Sequence, residues 1–329
     1  MSEPDLTVSI VNASNRDLVL GCLGGLFGDN SHRLQLEVVV LDNASEDGSP
    51  EAIRAAFPQA KVIQQQYRDG FGANQNRIFR STKGRYILVL NDDAIVERGA
   101  LGTLVEHMES DPGVAALAPR VVGPNHEPQQ TVWRDPSLTA MLAFALSAGR
   151  FGFTIRTRDK VRSIPQASAC ALLLRRSALD RIGLFDERYF MYLEDSDLCR
   201  RLRSAGYEIQ WFPEALVIHH SQQSSATVPE RRIREHTRSY RLYWKKHYGE
   251  RSVRLLSRLM AAGLISLAGI AWAIGHLPSR IRPARVSRWD PGMYLMQARY
   301  VVSDRQEPGL RELASDWNQQ HQVFTSSSA

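Results

Sequence analysis

A predicted strand that ends in two adjacent carboxylates is the most informative chemical feature of the sequence. The apolar run Tyr86–Leu90 is followed directly by Asn91, Asp92 and Asp93. Such a run is typical of a buried strand in a mostly parallel sheet, and open α/β sheets bind ligands at the carboxyl ends of their strands. Since side chains alternate along a strand, we expect Asn91 and Asp93 to point one way and Asp92 the other. Such oxygen ligands suit Mg²⁺ or Mn²⁺; a polar turn that closes the strand is the alternative.

Two more predicted strands in the N-terminal half end in polar residues. Asn12 follows the run Thr7–Val11, and Asp42 follows Leu36–Leu41. An acid at such a strand end can accept hydrogen bonds from the base or ribose of a nucleotide, which makes Asp42 a candidate nucleotide contact. The alternative for Asp42 is that it caps the turn after its strand.

The common glycine-rich phosphate motifs are missing from the sequence. No Gly-x-Gly-x-x-Gly follows the first strand, and the turn Gly70–Ala73 lacks the Gly-Lys-Ser/Thr of a Walker loop. This weakens a dinucleotide interpretation. If the protein binds phosphates, a metal ion must hold them.

A second pair of carboxylates, Glu194 and Asp195, follows five large apolar residues, Tyr189–Leu193. The pair is predicted to open a helix. Acids in a first helical turn ordinarily cap the helix and complement its dipole, which accounts for Asp197 but not for the apolar approach. A carboxylate in apolar surroundings can have a raised pKa, so Glu194 and Asp195 are candidates for a general base.

Two features of the second half are candidates to complete the site. Ser168–Cys170 begin the predicted buried strand Ala167–Arg176, and small residues there would let a ligand approach the backbone. His219 ends the predicted strand Ala215–Ile218 and could join a metal site through a neutral ring nitrogen. A structural or surface histidine is the alternative.

The elements that must position these residues alternate between strands and helices. The predicted strands of the first half are 7–11, 36–41, 61–65 and 86–90, and the predicted helices are 18–26, 50–57 and one that carries Asn76. Pro50 opens the second helix, with Ser49 as its N-cap. This alternation predicts a doubly wound α/β domain. Later in the chain we expect a helix over 101–110 and a strand over 115–118, whereas residues 124–165 are predicted to form a mobile loop or lid.

Four segments of the chain together resemble the family 2 glycosyltransferases of the GT-A fold, in particular the bacterial rhamnosyltransferase-like branch. The segments are Leu41–Ser45, Leu90–Ala94, Phe185–Leu198 and Val217–His220. The resemblance implies an α/β, Rossmann-like GT-A fold with a mostly parallel central sheet flanked by helices. The expected division is a GT-A domain over 1–250, with a nucleotide-binding half over 1–110 and an acceptor or catalytic half over 111–225, followed by a helical, membrane-associated region over 251–329.

The resemblance also implies roles for the matching residues. Asp195, beside Glu194, would be the catalytic base, and Asp93 would bind the metal together with Asn91 and His219. The other matching positions would line the nucleotide-sugar site: Asn12, Asp42, Gly70, Phe71, Asn76, Asp92, Ser168, Ala169 and Cys170.

Three positions depart from the family pattern. Ala13 stands near the place of a usual aromatic residue, Arg68 stands where Asn is common, and Asp92 stands where this branch often has Pro. None of these departures removes a predicted catalytic group.

The implied reaction is an inverting, metal-dependent sugar transfer. Asp195 would take a proton from an acceptor hydroxyl as its oxygen attacks the anomeric carbon, while Mg²⁺ or Mn²⁺ neutralises the leaving nucleoside diphosphate. The family branch implies L-rhamnose from dTDP-L-rhamnose as the donor, and a lipid-linked saccharide or polysaccharide of the cell envelope as the acceptor. The alternatives are a non-catalytic nucleotide-sugar-binding scaffold of the same fold and a nucleotidyltransferase.

The formal net charge of +6 is concentrated in one segment of the chain. Residues 230–258 contain ten Lys or Arg and three Glu, so the rest of the chain is close to neutral. A basic segment on a neutral body indicates a polyanionic partner. We expect an anionic membrane surface rather than nucleic acid, because no RNA-binding signature accompanies the segment.

The apolar run Leu259–Leu277 follows this basic segment and has no Lys, Arg, Asp or Glu. At about 1.5 Å per residue it is about 28 Å long, enough for one membrane crossing. The run has three interpretations: an in-plane anchor, a true membrane span or a soluble packing helix. Arginines flank both of its ends, so the positive-inside rule does not choose among them. The start of the chain does not look like a signal peptide, and its three cysteines are expected to be reduced. These features predict an enzyme at the cytoplasmic face of the cell membrane.

Overall fold

The computed structural model describes residues 3–29, 33–147, 153, 155, 157, 159–220, 229–276, 290–303 and 308–321 of the 329-residue chain. Strands and helices alternate through the first half: β1 (Leu6–Asn12), α1 (Arg16–Gly28), β2 (Leu36–Asp42), α2 (Ser49–Ala56), β3 (Lys61–Gln64), α3 (Phe71–Arg80) and β4 (Tyr86–Asn91). These elements are confirmed close to their predicted limits. The predicted N-cap Ser49 is wrong, because α2 begins at Ser49 and its N-cap is Gly48 in the left-handed conformation.

The second half adds shorter strands and a group of helices. They are β5 (Ala94–Val96), α4 (Ala100–Ser110), β6 (Val114–Val122), β7 (Val132–Trp133), α5 (Leu138–Leu146), β8 (Arg162–Ser163), β9 (Gln166–Ala167), β10 (Ala171–Arg175), α6 (Arg176–Ile182), α7 (Glu194–Ser204), β11 (Glu208–His219), α8 (Pro229–Tyr248), α9 (Glu250–Gly275), α10 (Pro291–Val302) and α11 (Leu310–Gln320).

Nine of the described strands form one mixed sheet. Its order is β3-β2-β1-β4-β10-β6-β11-β5, with β8 also paired to β11. β1 is parallel to β2 and β4, and β6 is parallel to β11, whereas β10 is antiparallel to both of its neighbours. The longer pairings are parallel, so the predicted α/β architecture with a mostly parallel central sheet is confirmed.

The register of the sheet places the predicted site residues at one edge. Asn12 lies opposite Asp42 across β1 and β2, and Val11 lies opposite Asn91 across β1 and β4. The strand Tyr86–Leu90 is buried, with at most 4% of any residue exposed. Each such aliphatic side chain stabilises the fold by about 1.5–3 kcal/mol when it leaves water, which fixes β4 in the centre of the sheet.

Three predictions for the second half differ from the structure. Residues 124–165 contain β7, α5 and β8, so the part that is described is not a simple loop. Ser168–Cys170 form the connection between β9 and β10 instead of a strand. The predicted strand Ala215–Ile218 is the end of β11, which has an irregular pairing with β6 after Phe212.

The chain forms two compact units. Unit 1 contains Met1–Trp133, Arg156–Thr227 and Arg311–Ala329, and unit 2 contains Arg134–Ile155 and Val228–Leu310. This grouping differs from a single boundary after residue 250, because α8 belongs to unit 2 and α11 returns to unit 1. The functional division of the chain at residues 110, 225 and 250 stays a prediction.

Unit 2 has an aromatic interior. Tyr243 and Trp244 of α8 are fully buried, and Trp244 Nε1–H donates to the carbonyl oxygen of Pro136 at 2.8 Å. A Cβ on Gly263 would lie 2.4 Å from the ring of Phe144, so this glycine lets α5 and α9 pack closely. The aromatic residues that alternate with basic ones in α8 are therefore partly core residues.

Helix α9 contains nearly all of the predicted apolar run. It is the one helix in the described part of the chain that is long and apolar enough to cross a membrane, by length and composition. A little under half of its apolar stretch is buried in the structure. Arg280, Arg282, Arg285 and Arg288, which flank the run in the sequence, lie outside the described residues.

Candidate active site

The ends of β4 and β11 bring the predicted metal ligands together. The antiparallel pairing of β5 with β11 places His219 beside Asp93. His219 Nε2 lies 3.0 Å from Asp93 Oδ1 and 3.1 Å from Asn91 Nδ2. Asp92 points away from them, and its Oδ2 accepts a hydrogen bond from Asn15 Nδ2 at 2.9 Å. The predicted alternation of the three side chains is confirmed.

The imidazole of His219 is oriented by Gln129, a residue that no sequence pattern singled out. Gln129 Nε2 donates to the carbonyl oxygen of His219 at 2.7 Å, which leaves Gln129 Oε1 2.8 Å from His219 Nδ1. We therefore assign the ring proton to Nδ1, so that Nε2 presents its lone pair to Asp93. Gln129 lies outside the strands and helices, where hydrophobic periodicity carries no signal.

These side chains fit a divalent cation. Asp93 Oδ1 is buried and has no hydrogen-bond partner among the described residues, although His219 Nε2 is 3.0 Å away. Two acceptor atoms this close repel each other unless a cation or a proton lies between them. Two ligands about 2.1 Å from Mg²⁺ and at right angles to each other are also about 3.0 Å apart.

The protein offers only part of a coordination shell. Within the described residues, no group of three or more His, Cys, Asp or Glu side chains is placed to hold a metal ion. Asp93, His219 and the amide of Asn91 would leave several positions to water and to phosphate oxygens. This division is typical of Mg²⁺ sites in enzymes that bind nucleotide phosphates.

Asp92 fastens the loop after β1. Besides Asn15, the backbone N–H of Ala13 donates to Asp92 Oδ2, at 3.4 Å. Burial raises the pKa of Asp92 to about 6; the hydrogen bond from Asn15 opposes the rise, and the charge of Asp93 adds to it. Both contacts of Asp92 are with the protein, so its contact with a nucleotide sugar stays a prediction.

Asn12 and Asp42 form a buried pair at the ends of β1 and β2. Asn12 Nδ2 donates to Asp42 Oδ1 at 3.0 Å and to Ser45 Oγ at 3.1 Å, and the N–H of Ser45 donates to Asp42 Oδ2 at 3.0 Å. Asp42 therefore caps the turn after its strand, which was the alternative role for this residue. Asn12 Oδ1 is buried without a hydrogen-bond partner among the described residues, so it is the atom of this pair that a ligand would satisfy.

The turn at Gly70 holds the apolar segment that precedes the second acidic pair. The N–H of Phe71 donates to the carbonyl oxygen of Phe190 at 2.8 Å, and a Cβ on Gly70 would lie 2.6 Å from that oxygen. The ring of Phe71 contacts Phe185 edge-on, with 6.2 Å between centroids. A side chain at position 70 would push the two segments apart.

Asn76 fastens the same segment from α3. Its Nδ2 donates to the carbonyl oxygen of Phe185 at 2.9 Å and to Glu187 Oε1 at 2.8 Å, and its Oδ1 accepts from the N–H of Phe185 at 3.0 Å. The amide of Asn76 is thus occupied within the protein. Asn76 positions the segment, and its predicted contact with the nucleotide is not supported by these bonds.

Two left-handed residues turn the chain into α7. Tyr192 has φ 71° and Leu193 has φ 61°, and Leu193 is the N-cap of α7. This conformation costs an L-residue about 1–2 kcal/mol, and such strain is concentrated at functional sites. The contacts of Gly70 and Asn76 hold this turn, which presents Glu194 and Asp195 at the start of the helix.

Asp195 is half-buried in the first turn of α7. Its Oδ1 accepts from the N–H of Ser196 at 2.7 Å, and its Oδ2 accepts from the N–H of Ala169 at 3.2 Å. Burial raises the pKa of Asp195, although these hydrogen bonds oppose the rise. A carboxylate with a raised pKa is a stronger base than an ordinary aspartate. Its neighbour Glu194 is buried as well.

The turn Ser168–Cys170 connects the two acidic clusters. While Ala169 binds Asp195, the carbonyl oxygen of Cys170 accepts from the N–H of Asn91 at 2.9 Å. Burial raises the pKa of Cys170 to about 11, so the thiol is protonated at neutral pH. The predicted base and the predicted metal ligands therefore lie at the same edge of the sheet, on either side of one short turn.

A family profile assigns the chain to a class of enzymes. The profile described as glycosyl transferase family 2 matches residues 8–183, more than half of the chain. The chain belongs to glycosyl transferase family 2. The matched range contains Asp42, Asn91–Asp93 and Ser168–Cys170, whereas Asp195 and His219 follow it in the sequence.

Rhamnosyltransferases are among the relatives of this glycosyltransferase. The N-acetylglucosaminyl-diphospho-decaprenol L-rhamnosyltransferase of Mycobacterium tuberculosis is 29% identical over 223 residues, which cover 62% of this chain and 73% of the relative. Rhamnosyltransferase WbbL of Escherichia coli is 29% identical over 184 residues, which cover 52% of this chain and 68% of the relative. The predicted enzyme class and the rhamnosyltransferase-like branch are confirmed.

Solved structures of glycosyltransferases share the fold. Mannosyltransferase PcManGT from Pyrobaculum calidifontis, in complex with GDP-Man and Mn²⁺, has a TM-score of 0.57 at 19% identity, with 97% of this chain and 88% of that chain covered. GalNAc-T7 with UDP, GalNAc and Mn²⁺ has a TM-score of 0.56 at 13% identity, with 98% and 59% covered. At these identities the likeness shows the fold alone, and the predicted GT-A fold is confirmed.

Proposed function

We propose that this glycosyltransferase transfers L-rhamnose from dTDP-L-rhamnose, with inversion, to a lipid-linked saccharide or polysaccharide of the cell envelope. The observation that carries the proposal is the turn Ser168–Cys170, which is hydrogen-bonded to Asp195 on one side and to Asn91 on the other. A sugar bound over this turn would have a base on one side and a metal-binding edge on the other. That is the arrangement an in-line displacement at the anomeric carbon needs.

Asp195 acts as the general base in this proposal. Its carboxylate takes the proton of the acceptor hydroxyl as that oxygen attacks the anomeric carbon. The raised pKa of Asp195 increases its basicity, and the N–H groups of Ala169 and Ser196 hold the carboxylate in one orientation. A single displacement inverts the anomeric centre and needs no protein nucleophile.

Asp93, His219 and Asn91 would hold Mg²⁺ or Mn²⁺. A bound cation supplies charge neutralisation for the departing nucleoside diphosphate. Two features of the chain favour cation binding. Gln129 fixes the tautomer of His219, and Asp93 Oδ1 is buried without a hydrogen-bond partner among the described residues. The Mn²⁺ in both similar structures supports a divalent cation without choosing between the two metals.

The donor and acceptor in this proposal follow from the relatives. The name of the mycobacterial relative gives L-rhamnose as the transferred sugar and a diphospho-decaprenol carrier as the acceptor's anchor. Within this proposal, residues 1–110 bind the nucleotide, and residues 111–225 bind the acceptor and carry out catalysis. A lipid-linked acceptor would require the enzyme to work at the membrane, and we place it at the cytoplasmic face.

Unit 2 supplies a surface suited to the membrane. Nine of the ten large apolar side chains that are exposed in the described part of the chain lie in unit 2. They are Leu138, Leu142 and Leu146 of α5, Leu255, Ile265 and Trp272 of α9, and Met293, Leu295 and Val302 of α10. Large exposed apolar side chains concentrated in one unit favour an interaction with a partner surface.

An in-plane anchor fits unit 2 better than a membrane span. α9 packs against α8, which carries seven Lys or Arg, and charged side chains are costly within the hydrocarbon layer. The exposed face of α9 carries Arg251, Arg254 and Arg258 before Ile265 and Trp272. The arginines precede the apolar side chains along the same face of the helix, so the first turns of α9 would contact lipid phosphates and its later turns would enter the acyl boundary of an anionic membrane.

Donor turnover by the purified protein tests the proposal. The enzyme with Mn²⁺ and a membrane extract as acceptor source would be offered dTDP-L-rhamnose, UDP-GlcNAc, UDP-galactose and GDP-mannose. We expect turnover of dTDP-L-rhamnose that a chelator abolishes. Turnover of another donor would correct the sugar, whereas nucleotide binding without any turnover would favour the non-catalytic scaffold.

A further inference from the structure

Helix α11 contacts the loop that ends at Gly70. We call residues 65–70, between β3 and α3, the donor loop. The side-chain amide of Asn318 forms two hydrogen bonds with the backbone of Arg68: its Oδ1 accepts from the N–H at 2.7 Å, and its Nδ2 donates to the carbonyl oxygen at 3.0 Å. A residue 250 positions away in the sequence thus completes the backbone hydrogen bonding of this loop.

Trp317, the neighbour of Asn318, holds the side chain of the same arginine. The guanidinium of Arg68 lies over the indole ring of Trp317, 4.3 Å from its centroid. Glu46 Oε2 accepts from Arg68 Nη2 at 2.8 Å and from Trp317 Nε1 at 3.2 Å. The three side chains fix one another by a cation–π contact and two charge-assisted hydrogen bonds.

The donor loop is in turn fastened to the strand end that carries Asp42. Asn43 Oδ1 accepts from the N–H of Asp69 at 2.9 Å and from Gln65 Nε2 at 3.2 Å, and Asn43 Nδ2 donates to the carbonyl oxygen of Asp69 at 3.1 Å. Hydrogen bonds to the consecutive residues Arg68 and Asp69 therefore connect Asn318 to Asn43, the residue beside Asp42.

The other end of α11 contacts the segment before the acidic pair. Arg311 Nη2 donates to the carbonyl oxygen of Arg188, and its guanidinium lies 5.9 Å from the ring of Phe190. Phe190 is the residue whose carbonyl oxygen binds Phe71 beside Gly70. α11 thus spans two of the segments on which the proposed donor site depends, and both lie with it in unit 1.

We propose that α11 is part of the donor site and that Asn318 and Trp317 are positioning residues for the nucleoside diphosphate. They hold the donor loop beside Asp42 and fix the Arg68 guanidinium, which is paired with Glu46, at the edge where the anionic ligand would bind. The inference rests on the proposed function, since that function makes this edge of the sheet a nucleotide site. In the free protein the loop is already ordered by α11, so the ligand does not have to order it.

Nucleotide binding by variants of α11 tests the inference. dTDP, UDP and GDP, each with Mn²⁺, would be titrated calorimetrically into the wild-type protein, Asn318→Ala and Trp317→Phe. Gln319→Ala is the matched control, because Gln319 is an exposed amide on the same helix. We expect Asn318→Ala to raise the Kd of the bound nucleotide about five- to tenfold, the effect of losing one or two net hydrogen bonds. Trp317→Phe keeps a ring under Arg68 but loses the bond to Glu46, so a rise of about threefold is expected.

Steady-state kinetics separate positioning from a general loss of structure. Asn318→Ala should raise the donor KM by the same factor as the Kd and leave kcat within about twofold, because it removes uniform binding. If Asn318→Ala left Kd and KM unchanged, the inference would be overturned and the proposed function would stand. Tighter nucleotide binding by Asn318→Ala would overturn it too, because α11 would then oppose binding. A wild-type protein that binds none of the three nucleotides would overturn the proposed function and this inference with it.

Discussion

The backbone N–H of Ala169 donates a hydrogen bond to Oδ2 of Asp195 across 3.2 Å. Ala169 lies in the connection between β9 and β10, and the next residue, Cys170, accepts a hydrogen bond from Asn91 at the end of β4. The position of the proposed base is therefore tied to the strand that carries the proposed metal ligands. A shift of this turn would move both halves of the site at once.

Replacing Asp195 by Asn is expected to remove most of the transfer activity. The amide keeps the size of the carboxylate and can accept the hydrogen bond from Ala169 or from Ser196 but not both, and it cannot take a proton. We expect kcat to fall about 10²–10⁴-fold, the usual contribution of a general base, with little change in nucleotide affinity. Donor turnover and calorimetric titration of the nucleotide measure the two effects. Full activity in Asp195→Asn would remove this residue from the base role.

The same substitution is expected to change how stability depends on pH. Burial raises the pKa of Asp195, so the folded protein binds this proton more tightly than the unfolded chain does. The free energy of unfolding of the wild type therefore falls as the pH rises from the unfolded pKa through the raised folded pKa. Asp195→Asn cannot lose stability in this way. The difference between its melting temperature and that of the wild type should therefore increase between the unfolded and the folded pKa, and stay constant at higher pH. A difference that is independent of pH would contradict the raised pKa.

The activity of the wild type should fall at acid pH as Asp195 becomes protonated. A general base must be deprotonated, and the raised pKa of Asp195 in the free protein places the loss of kcat/KM on the acid side at a higher pH than an ordinary aspartate would. A profile of kcat/KM for the donor against pH measures the limb. An acid limb at the pH of an ordinary exposed aspartate would argue for another base.

Gln129→Ala is expected to weaken metal activation without touching the proposed ligands. Loss of the Gln129 contact frees His219 to rotate and to move its proton to Nε2, which removes the lone pair that faces Asp93. We expect the Mn²⁺ concentration for half-maximal activity to rise about 10–100-fold, as for other residues that orient a metal-binding histidine. Gln130→Ala, in the exposed neighbouring residue, is the control and should leave metal activation unchanged.

Gly70→Ala should damage the site, whereas Gly21→Ala should not. A Cβ at position 70 would lie 2.6 Å from the carbonyl oxygen of Phe190 and 2.9 Å from its Cα, and these backbone atoms cannot move aside as a flexible side chain could. We expect a loss of stability of about 1–3 kcal/mol and a lower kcat, measured by chemical denaturation and donor turnover. Gly21 lies inside α1 with no atom within 4 Å of an added Cβ, so Ala there should stabilise the protein by about 0.5–1 kcal/mol. Equal effects at the two positions would contradict the close approach at Gly70.

The exposed apolar side chains of unit 2 should govern binding to lipid vesicles. Leu146 is 85% exposed and Trp272 is 61% exposed. We expect Leu146→Ser and Trp272→Ser each to weaken co-sedimentation with phosphatidylcholine–phosphatidylglycerol vesicles by about tenfold or more, the effect of withholding one large apolar side chain from the membrane. Val161→Ser is the control, since Val161 is an exposed apolar residue of unit 1. If all three variants bound equally, unit 2 would not be the membrane surface.

Local sequence patterns were sufficient for the first half of the fold. The runs Thr7–Val11, Leu36–Leu41 and Tyr86–Leu90 are short, rich in β-branched and aliphatic residues and bounded by polar residues, which favours a buried strand over a helix. Once these strands are parallel neighbours, Asn12, Asp42 and Asn91 must lie at one edge of the sheet. The alternation of Asn91, Asp92 and Asp93 follows from strand geometry alone. Family resemblance then supplied the roles of Asp195 and His219, which lie far along the chain.

Only the tertiary structure decided which long-range partners complete the site. Gln129, Asn318 and Trp317 lie in segments whose local patterns carry no functional signal, and they act through side-chain contacts with residues 90 to 271 positions away. Such contacts are set by how the strands and helices pack, because a polar side chain has no periodicity that reveals its partner. The burial of Tyr243 and Trp244 was not predictable for the same reason, because it depends on how neighbouring helices pack. The sequence by itself thus determined the sheet and the chemistry at its edge, whereas packing determined what orients those groups.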